Sequence, residues 1–314
     1  MSMIVLFEDI WGDPLAALTE QHTVIRTAGT ALPPEVPTAA VEAIVVRNRT
    51  QVDQALLDEL PALKIVARAG VGLDNIDLAA CDARQVVVMS PRGANAISVG
   101  EHAVALALAV SKRLVGNDAS VRLGNWDRRP VTELSGGTWG VVGAGATGLA
   151  TAKLAQGLGM TTIAYDPYAD PEVLATHGLT AVTLEQLAAA STVVSVHLPA
   201  TPDTIGLIGD DFFTQTTPGL ILVNVGRGEV VDEAALQRAL RSGQVLGAGL
   251  DVRVAEPPGP SELDELPDVV YSPHVAGITK QAQQRIMAAM ASDVANVLAG
   301  AAADHAVGAY RVAA

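Results

Sequence analysis

A chain of 314 residues, 49% hydrophobic and 17% charged, is too apolar for a disordered segment and long enough for two domains with sizeable cores. Its net charge of −14 argues against nucleic acid or an anionic membrane as partner, and leaves the capture of any anionic substrate to local arginines. The one cysteine, Cys81, allows no internal disulfide and no thiolate metal site, and reads as a buried small residue.

In chain order, Met3–Phe7 reads as a strand rather than part of a leader peptide, because no basic region precedes it. Asp13–Gln21 reads as a short helix. Strands are expected at Ala43–Val46, Lys64–Ala67 and Val86–Met89, with a helix over Asp53–Leu60 that stops before Pro61. Strands separated by helices mean a parallel sheet with crossovers, so residues 1–95 form a small α/β domain. Pro91–Asn95 is a breaker-rich linker. Ile97–Val115 reads as one long helix, apolar on nearly every face, and therefore buried between domains or in a subunit interface. Gly124–Ser135 is polar and irregular. The longest apolar run, Ala103–Val110, is far short of the roughly 20 residues a membrane span needs, so a cytoplasmic protein without a membrane partner is expected.

The segment Thr138–Asp166 has the most specific pattern in the chain. Trp139–Val142 reads as a buried strand, Leu149–Leu158 as a helix and Thr161–Tyr165 as a second strand. Gly143, Gly145 and Gly148 fall on the G-x-G-x-x-G spacing between the first two, and Asp166 ends the unit. This is the βαβ fingerprint of a dinucleotide site. Gly143 permits a turn with positive φ. Gly145 has no Cβ to hold a pyrophosphate away from the backbone, and Gly148 lets helix and strand pack closely. The N–H groups of Ala146 and Thr147 open the helix and favour an anion. A carboxylate at Asp166 accepts from the ribose hydroxyls of NAD and repels a 2′-phosphate. Further strands are expected at Thr192–Val196, Leu220–Val225, Leu246–Leu250 and Val269–Tyr271, and helices at Asp232–Ser242, with Asp232 as N-cap, and Thr279–Ala299. Ligands of open parallel sheets sit at the carboxyl ends of strands. There the chain places Asn224 to Gly228, Asp251, Glu256, and Ser272 to Gly277.

With these segments the chain resembles the D-isomer-specific 2-hydroxyacid dehydrogenases. The matching stretches are RAGVGLDNID (68–77), ISVGEHAVAL (97–106), GAGATG, SVHLPATPDTIGLI (195–208), VNVGRGEVVDEAAL (223–236), GAGLDV (247–252), AEPP and SPHVAGIT, in order and at the family's spacing. The resemblance implies an α/β fold of two Rossmann-like domains with parallel sheets. Residues 1–95 and 280–314 would form a flavodoxin-like substrate-binding domain, and residues 96–279 an NAD-binding Rossmann domain inserted into it. It implies an NAD-dependent enzyme interconverting a D-2-hydroxy acid and its 2-keto acid.

Family roles then fall on particular residues. Arg227 matches the arginine that binds the substrate carboxylate and keto oxygen, a task for a bidentate, permanently charged fork. His274 matches the general acid/base. Glu256 matches its carboxylate partner, which holds the tautomer and favours imidazolium. His102 and His197 read as packing or supporting residues, and His22, His177 and His305 as surface. Asp251 matches the residue that bonds the nicotinamide carboxamide. Leu198 and Pro199 would wall the adenine and ribose, Val225, Ala276 and Gly277 the nicotinamide. The backbone of Val71 and Gly72 would meet the substrate carboxylate. Arginines matching Arg47 and Arg68 bind the substrate phosphate in the family's phosphoglycerate dehydrogenases, so 3-phosphoglycerate is placed ahead of the glyoxylate and hydroxypyruvate that a reductase of this family would take. Many relatives have Arg-Ile where this chain has Ala146-Thr147, which removes one ion pair to pyrophosphate. A formate-dehydrogenase-like branch carries glutamine in place of Glu256. A corepressor-like branch that senses NAD(H) without turnover keeps the same triad. The family's dimerisation region matches Ile97–Val115 and Gly124–Ser135, so a homodimer is expected. The chain stops soon after its last helix, so no regulatory C-terminal domain is expected.

Overall fold

The computed structural model describes residues 1–8, 10 and 16–311. Tertiary contacts divide the chain into two compact units, Met1–Asn95 with Thr279–Ala314, and Ala96–Ile278.

In the first unit the strands are β1 (Met3–Phe7), β2 (Thr23–Thr27), β3 (Val41–Val46), β4 (Ile65–Arg68) and β5 (Val87–Met89). A late strand, β13 (Ala306–Val307), returns to pair with β5. The sheet order is β13-β5-β4-β3-β1-β2, parallel throughout except for β13. Without β13 this is the flavodoxin-type order 2-1-3-4-5. Alternate residues face opposite sides, and both sides are buried. Val5, Phe7, Ile44, Val46 and Val66 line one core. Ile4, Leu6, Ala43, Val45, Ile65 and Ala67 line the other. The helices are α1 (Ala16–Gln21), α2 (Gln54–Glu59), α3 (Leu78–Ala83) and the C-terminal α11 (Lys280–Leu298). The last of these lays Ile286, Met287, Met290 and Val294 on the second core. Of the helix expected over Asp13–Gln21, residues 13–15 lie outside the described residues. Side-chain caps start the others: Asp53 accepts from Leu56 N, Asp77 from Ala80 N and Thr279 from Ala282 N.

The second unit holds α4 (Ala96–Ser111), α5 (Leu114–Arg122), β6 (Thr138–Val142), α6 (Ala146–Gly157), β7 (Thr161–Tyr165), α7 (Pro171–Thr176) and β8 (Thr180–Ala181). It continues with α8 (Leu184–Ala190), β9 (Val193–Val196), α9 (Asp210–Gln215), β10 (Leu220–Asn224), α10 (Glu233–Ser242), β11 (Val245–Leu250) and β12 (Val269–Tyr271). The all-parallel order β8-β7-β6-β9-β10-β11-β12 is the doubly wound 3-2-1-4-5-6 pattern with one strand added. The strand order reverses between β6 and β9, which puts the ligand-binding crevice at their carboxyl ends.

The single helix expected over Ile97–Val115 is two helices. The break is at Arg113, whose φ of 48° is left-handed. Tertiary partners explain it. Ser111 O accepts from Thr132 N, Lys112 Nζ donates to Thr132 O, and Arg113 Nε pairs with Asp268 at 3.2 Å. A helix continuing through these residues would forgo those contacts. Only α4 is buried, and on one face: Val99, Ala103, Leu106 and Val110 are covered, whereas Ile97 is 60% exposed. Gly247 and Gly249 of β11 let that face lie close, since a Cβ at either would press on Val110 or Leu106. No residue of α5 is buried. Among the described residues, no helix is long and apolar enough to cross a membrane.

Candidate active site

The glycine loop follows β6. Gly143 has φ +92°, and a Cβ there would strike Leu198 Cδ2 at 2.8 Å. A Cβ on Gly148 would overlap Gly143 O, so helix and loop touch only because it is glycine. At Gly145 an added Cβ meets nothing within 4 Å, which leaves the backbone open to a ligand. Gly145 is the N-cap of α6 and supplies no side-chain cap, so the first-turn N–H groups, those of Ala146 and Thr147 among them, are available to an anion. Asp166, at the end of β7, accepts from Ala144 N at 2.9 Å and Tyr168 N at 3.0 Å. It thus braces the glycine loop and keeps a lone pair on each oxygen for hydroxyl donors. An open backbone at Gly145, an uncapped helix start and a free acceptor at Asp166 suit a dinucleotide. The segment carrying Leu198 and Pro199 also backs Gly226, where a Cβ would press on Leu198 O at 2.7 Å.

The ends of β10, β11 and β12 are neighbours in the sheet. After β10, Asn224 ties the turn from both sides: its Oδ1 accepts from Gly226 N at 3.1 Å and its Nδ2 donates to Arg227 O at 2.9 Å. Arg227 is half-buried, and its Nη1 donates to Gly226 O at 2.9 Å. Asp251 ends β11 and is 2% exposed. Burial opposes its charge. Donors from His102, Ser272, Ala276 and Val275 nevertheless hold the carboxyl below the usual carboxylate range. Those same bonds fix the turn that carries Val275, Ala276 and Gly277. Ser272 in turn bonds His102 Nε2 at 2.7 Å.

His274 follows β12 in a left-handed conformation, φ 53°. Such strain in a non-glycine residue marks a position held for a purpose. Its backbone N donates to Asp251 O at 2.8 Å. Its Nδ1 lies 2.7 Å from Glu256 Oε2, and the two side chains are 45% and 38% exposed, so the pair is reachable from solvent. Glu256 Oε1 accepts from Arg253 N at 3.2 Å. An ionised carboxylate only accepts, so Nδ1 carries the proton and Nε2 is left for proton exchange.

Two other histidines brace the fold, one internal and one partly exposed. His197 bonds Ser195 Oγ at 3.0 Å, and Ser195 Oγ accepts from Trp139 Nε1 at 2.8 Å. Burial drives the His197 imidazole down to about 3, so it stays neutral. His305, expected on the surface, is 39% exposed and also pairs with the fully buried Asp293 at 3.1 Å.

In the first unit the residues 47–50 follow β3. Glu8, itself at φ 64°, is buried beneath them. Its carboxylate accepts from Arg47 N, Arg49 N, Thr50 N and Thr50 Oγ1 at 2.9–3.2 Å. Asn75 Nδ2 donates to Arg47 O and Thr50 O from the other side. Burial pushes the Glu8 carboxyl up, but these donors win and hold it below its usual range. Arg49 Nε lies 3.4 Å from Glu8, with its side chain 60% exposed. Arg68 is 9% exposed, and its Nε donates to Gly72 O at 2.8 Å. It therefore shapes the loop that presents Val71 and Gly72.

A doubly wound unit with a dinucleotide loop and an arginine, a carboxylate and a histidine at adjacent strand ends defines a nicotinamide-dependent oxidoreductase architecture. Residues 104–276 match the family model "D-isomer specific 2-hydroxyacid dehydrogenase, NAD binding domain". The chain is 44% identical over 262 residues to a D-3-phosphoglycerate dehydrogenase of Archaeoglobus fulgidus, covering 82% of this chain and 50% of that protein. It is 43% identical over 305 residues to the enzyme of the same name from Mycobacterium leprae, covering 96% of this chain and 57% of that one. The chain thus spans about half the length of these curated relatives. A crystal structure of D-lactate dehydrogenase from Aquifex aeolicus with NAD and lactic acid superposes with a TM-score of 0.82 at 28% identity, over 95% of this chain and 96% of that one. The chain belongs to the D-isomer-specific 2-hydroxyacid dehydrogenase family and carries its NAD-binding domain.

Proposed function

We propose that the protein interconverts a D-2-hydroxy acid and its 2-keto acid with NAD, and that its substrate is 3-phosphoglycerate. The observation that carries the reading is the 2.7 Å contact of Glu256 with His274, beside the strand that delivers Arg227. When bound, the nicotinamide supplies or takes the hydride at substrate C2. Arg227 holds the substrate carboxylate through charge-assisted hydrogen bonds. In reduction, His274 Nε2 gives a proton to the keto oxygen as the hydride reaches C2. In oxidation it takes that proton back. Glu256 fixes the ring and stabilises the imidazolium. Gly143 to Gly148 and Asp166 bind the pyrophosphate and ribose, Leu198 and Pro199 flank the adenine side, and Val225, Asp251, Ala276 and Gly277 bind the nicotinamide. Val71 and Gly72 bind the substrate carboxylate by backbone N–H groups.

Arg47 and Arg68 are assigned to the substrate phosphate. The braced 47–50 loop supports the assignment of Arg47, and a protein of net charge −14 needs such local cations for a dianion. The Gly72 contact of Arg68 gives it a second task in loop shape. A homodimer is supported by the exposed apolar side chains of α5 and the stretch after it. A cytoplasmic location is part of the same reading, and the free, buried thiol of Cys81 is compatible with it.

A panel of 2-keto acids with NADH tests the reading. Reduction of 3-phosphohydroxypyruvate is expected. Arg47→Ala should weaken its kcat/KM about tenfold or more while leaving hydroxypyruvate within about twofold, since one charge-assisted bond contributes about 1.5–3 kcal/mol. Equal loss for both acids removes the phosphate role. Turnover of the unphosphorylated acid alone passes the assignment to a glyoxylate/hydroxypyruvate reductase. NADH binding without turnover of any acid passes it to an NAD(H)-sensing protein.

A further inference from the structure

We propose that Arg253 and Glu233 are positioning residues, a buried clamp that fixes the loops carrying Arg227 and Glu256 and thereby sets the Glu256–His274 contact. This rests on the dehydrogenase reading above. Arg253 lies two residues after Asp251, and its side chain is 8% exposed. Its guanidinium makes a two-pronged pair with Glu233, Nε to Oε1 at 2.8 Å and Nη2 to Oε2 at 2.9 Å. Glu233 opens α10, the helix that follows the Arg227 loop. Val254 N also donates to Glu233 Oε1, at 3.2 Å. The other face of the guanidinium sits over the Tyr271 ring, 5.2 Å from its centre, and Asp264 is 3.6 Å away. Every charged or titratable group facing Arg253 among the described contacts is thus acidic or phenolic.

The backbone of Arg253 is where the two loops meet. Its N–H donates to Glu256 Oε1, the carboxylate whose other oxygen holds His274. Its carbonyl lies against Gly228, next to Arg227, so closely that a Cβ on Gly228 would overlap it. A shift of residue 253 would therefore move Glu256 and Arg227 together. Desolvating a guanidinium is costly, and an apolar side chain would fill the space as well. What the fork adds is direction: two parallel bonds fix the orientation of residue 253 against α10. Arg253 keeps the Glu233 carboxyl below the usual range against its burial.

The test compares Arg253→Met, Glu233→Gln and the conservative Arg253→Lys with the wild-type chain. Kinetics are read as kcat, KM and the pH profile of keto-acid reduction, and NADH affinity by fluorescence. The tautomer of His274 is read from imidazole ¹⁵N shifts without substrate, assigned with His274→Gln. Arg253→Met and Glu233→Gln are expected to lower kcat about 10- to 100-fold, part of what acid/base catalysis contributes. They should move the fall of reduction to lower pH, reduce the Nδ1-protonated tautomer and leave NADH affinity within about twofold, with Arg253→Lys intermediate. If Arg253→Met fails to fold, Glu233→Gln and Arg253→Lys carry the same comparison. A wild-type tautomer and pH profile in the folded variants overturn the clamp, whatever happens to their melting temperature. A wild-type chain that reduces no keto acid overturns the dehydrogenase reading alone, because the tautomer is measured without turnover.

Discussion

Asp166 does two jobs through one carboxylate. It braces the glycine loop through Ala144 N, and it places a negative charge where NADP would put its extra phosphate. Like charges at contact repel by a few kcal/mol at an effective dielectric of about 20. NADH should therefore exceed NADPH in kcat/KM by about 100-fold or more. Asp166→Ala should narrow that ratio and also weaken NADH itself, because the loop loses its brace. Equal use of both cofactors by the wild type would contradict the assignment. At this scale the sequence was most legible where residue type and local spacing coincide. Gly143, Gly148 and Asp166 follow from the glycine spacing, whereas Arg227, Glu256 and His274 owe their proposed roles to the family resemblance. Arg253 and Glu8 had neither signal. Their partners come from the fold: Glu8 reaches Thr50, 42 residues on, and Arg253 reaches Glu233, 20 residues back. Asn224, an Asn at a strand end that bonds its own turn, had a local signal.

The 47–50 loop shows how an element depends on one buried charge. Glu8 accepts five donors from this loop, Arg49 Nε included, and Glu8→Gln would set its amide against N–H groups. The substitution should cost about 1.5–3 kcal/mol at neutral pH. The Glu8 carboxyl is held below its ordinary 4.5 in the folded chain. Its stabilising effect is therefore complete above that value and is lost as pH falls through the folded one. Denaturant unfolding of the two proteins should differ at about pH 7 and converge in acid. A gap that persists at low pH would mean that shape, not charge, matters there. Among elements, the capped helices α2, α10 and α11 were readable from periodicity, whereas the short capped helices α3, α7 and α8 were not picked out. The short strand β2 was not found, because its burial is only partial. The α4–α5 break was hidden because Thr132 and Asp268, which cause it, lie far along the chain.

At the scale of the molecule, both sheets have the parallel, doubly wound order expected from alternating strands and helices, with β13 the antiparallel exception. The expected burial of the whole stretch Ile97–Val115 does not hold for the single chain. Ile97 is 60% exposed, Leu114 61% and Val115 56%, and beyond that stretch Leu123 is 81% and Trp126 78% exposed. A second copy covering them would remove this surface from water at about 25 cal/mol per Å² of apolar area, and a two-fold dimer is the commonest closed assembly. Light scattering at micromolar concentration should give twice the mass of 32.3 kDa, and Leu123→Glu with Trp126→Glu should shift the wild-type dimer towards monomer. A wild-type monomer whose mass holds on further concentration would refute the dimer.

The central claim is that His274, held by Glu256, moves the proton while the nicotinamide moves the hydride. The most direct measurement is kcat/KM against pH in both directions, for the wild type and Glu256→Gln. Reduction needs imidazolium, so its rate should fall as pH rises; oxidation needs the neutral ring and should rise over the same range. Removing the carboxylate's negative charge disfavours imidazolium, so in Glu256→Gln both limbs should move to lower pH, with slower turnover. Profiles that coincide for the two proteins would contradict the account and take Glu256 and its contact with His274 out of the mechanism.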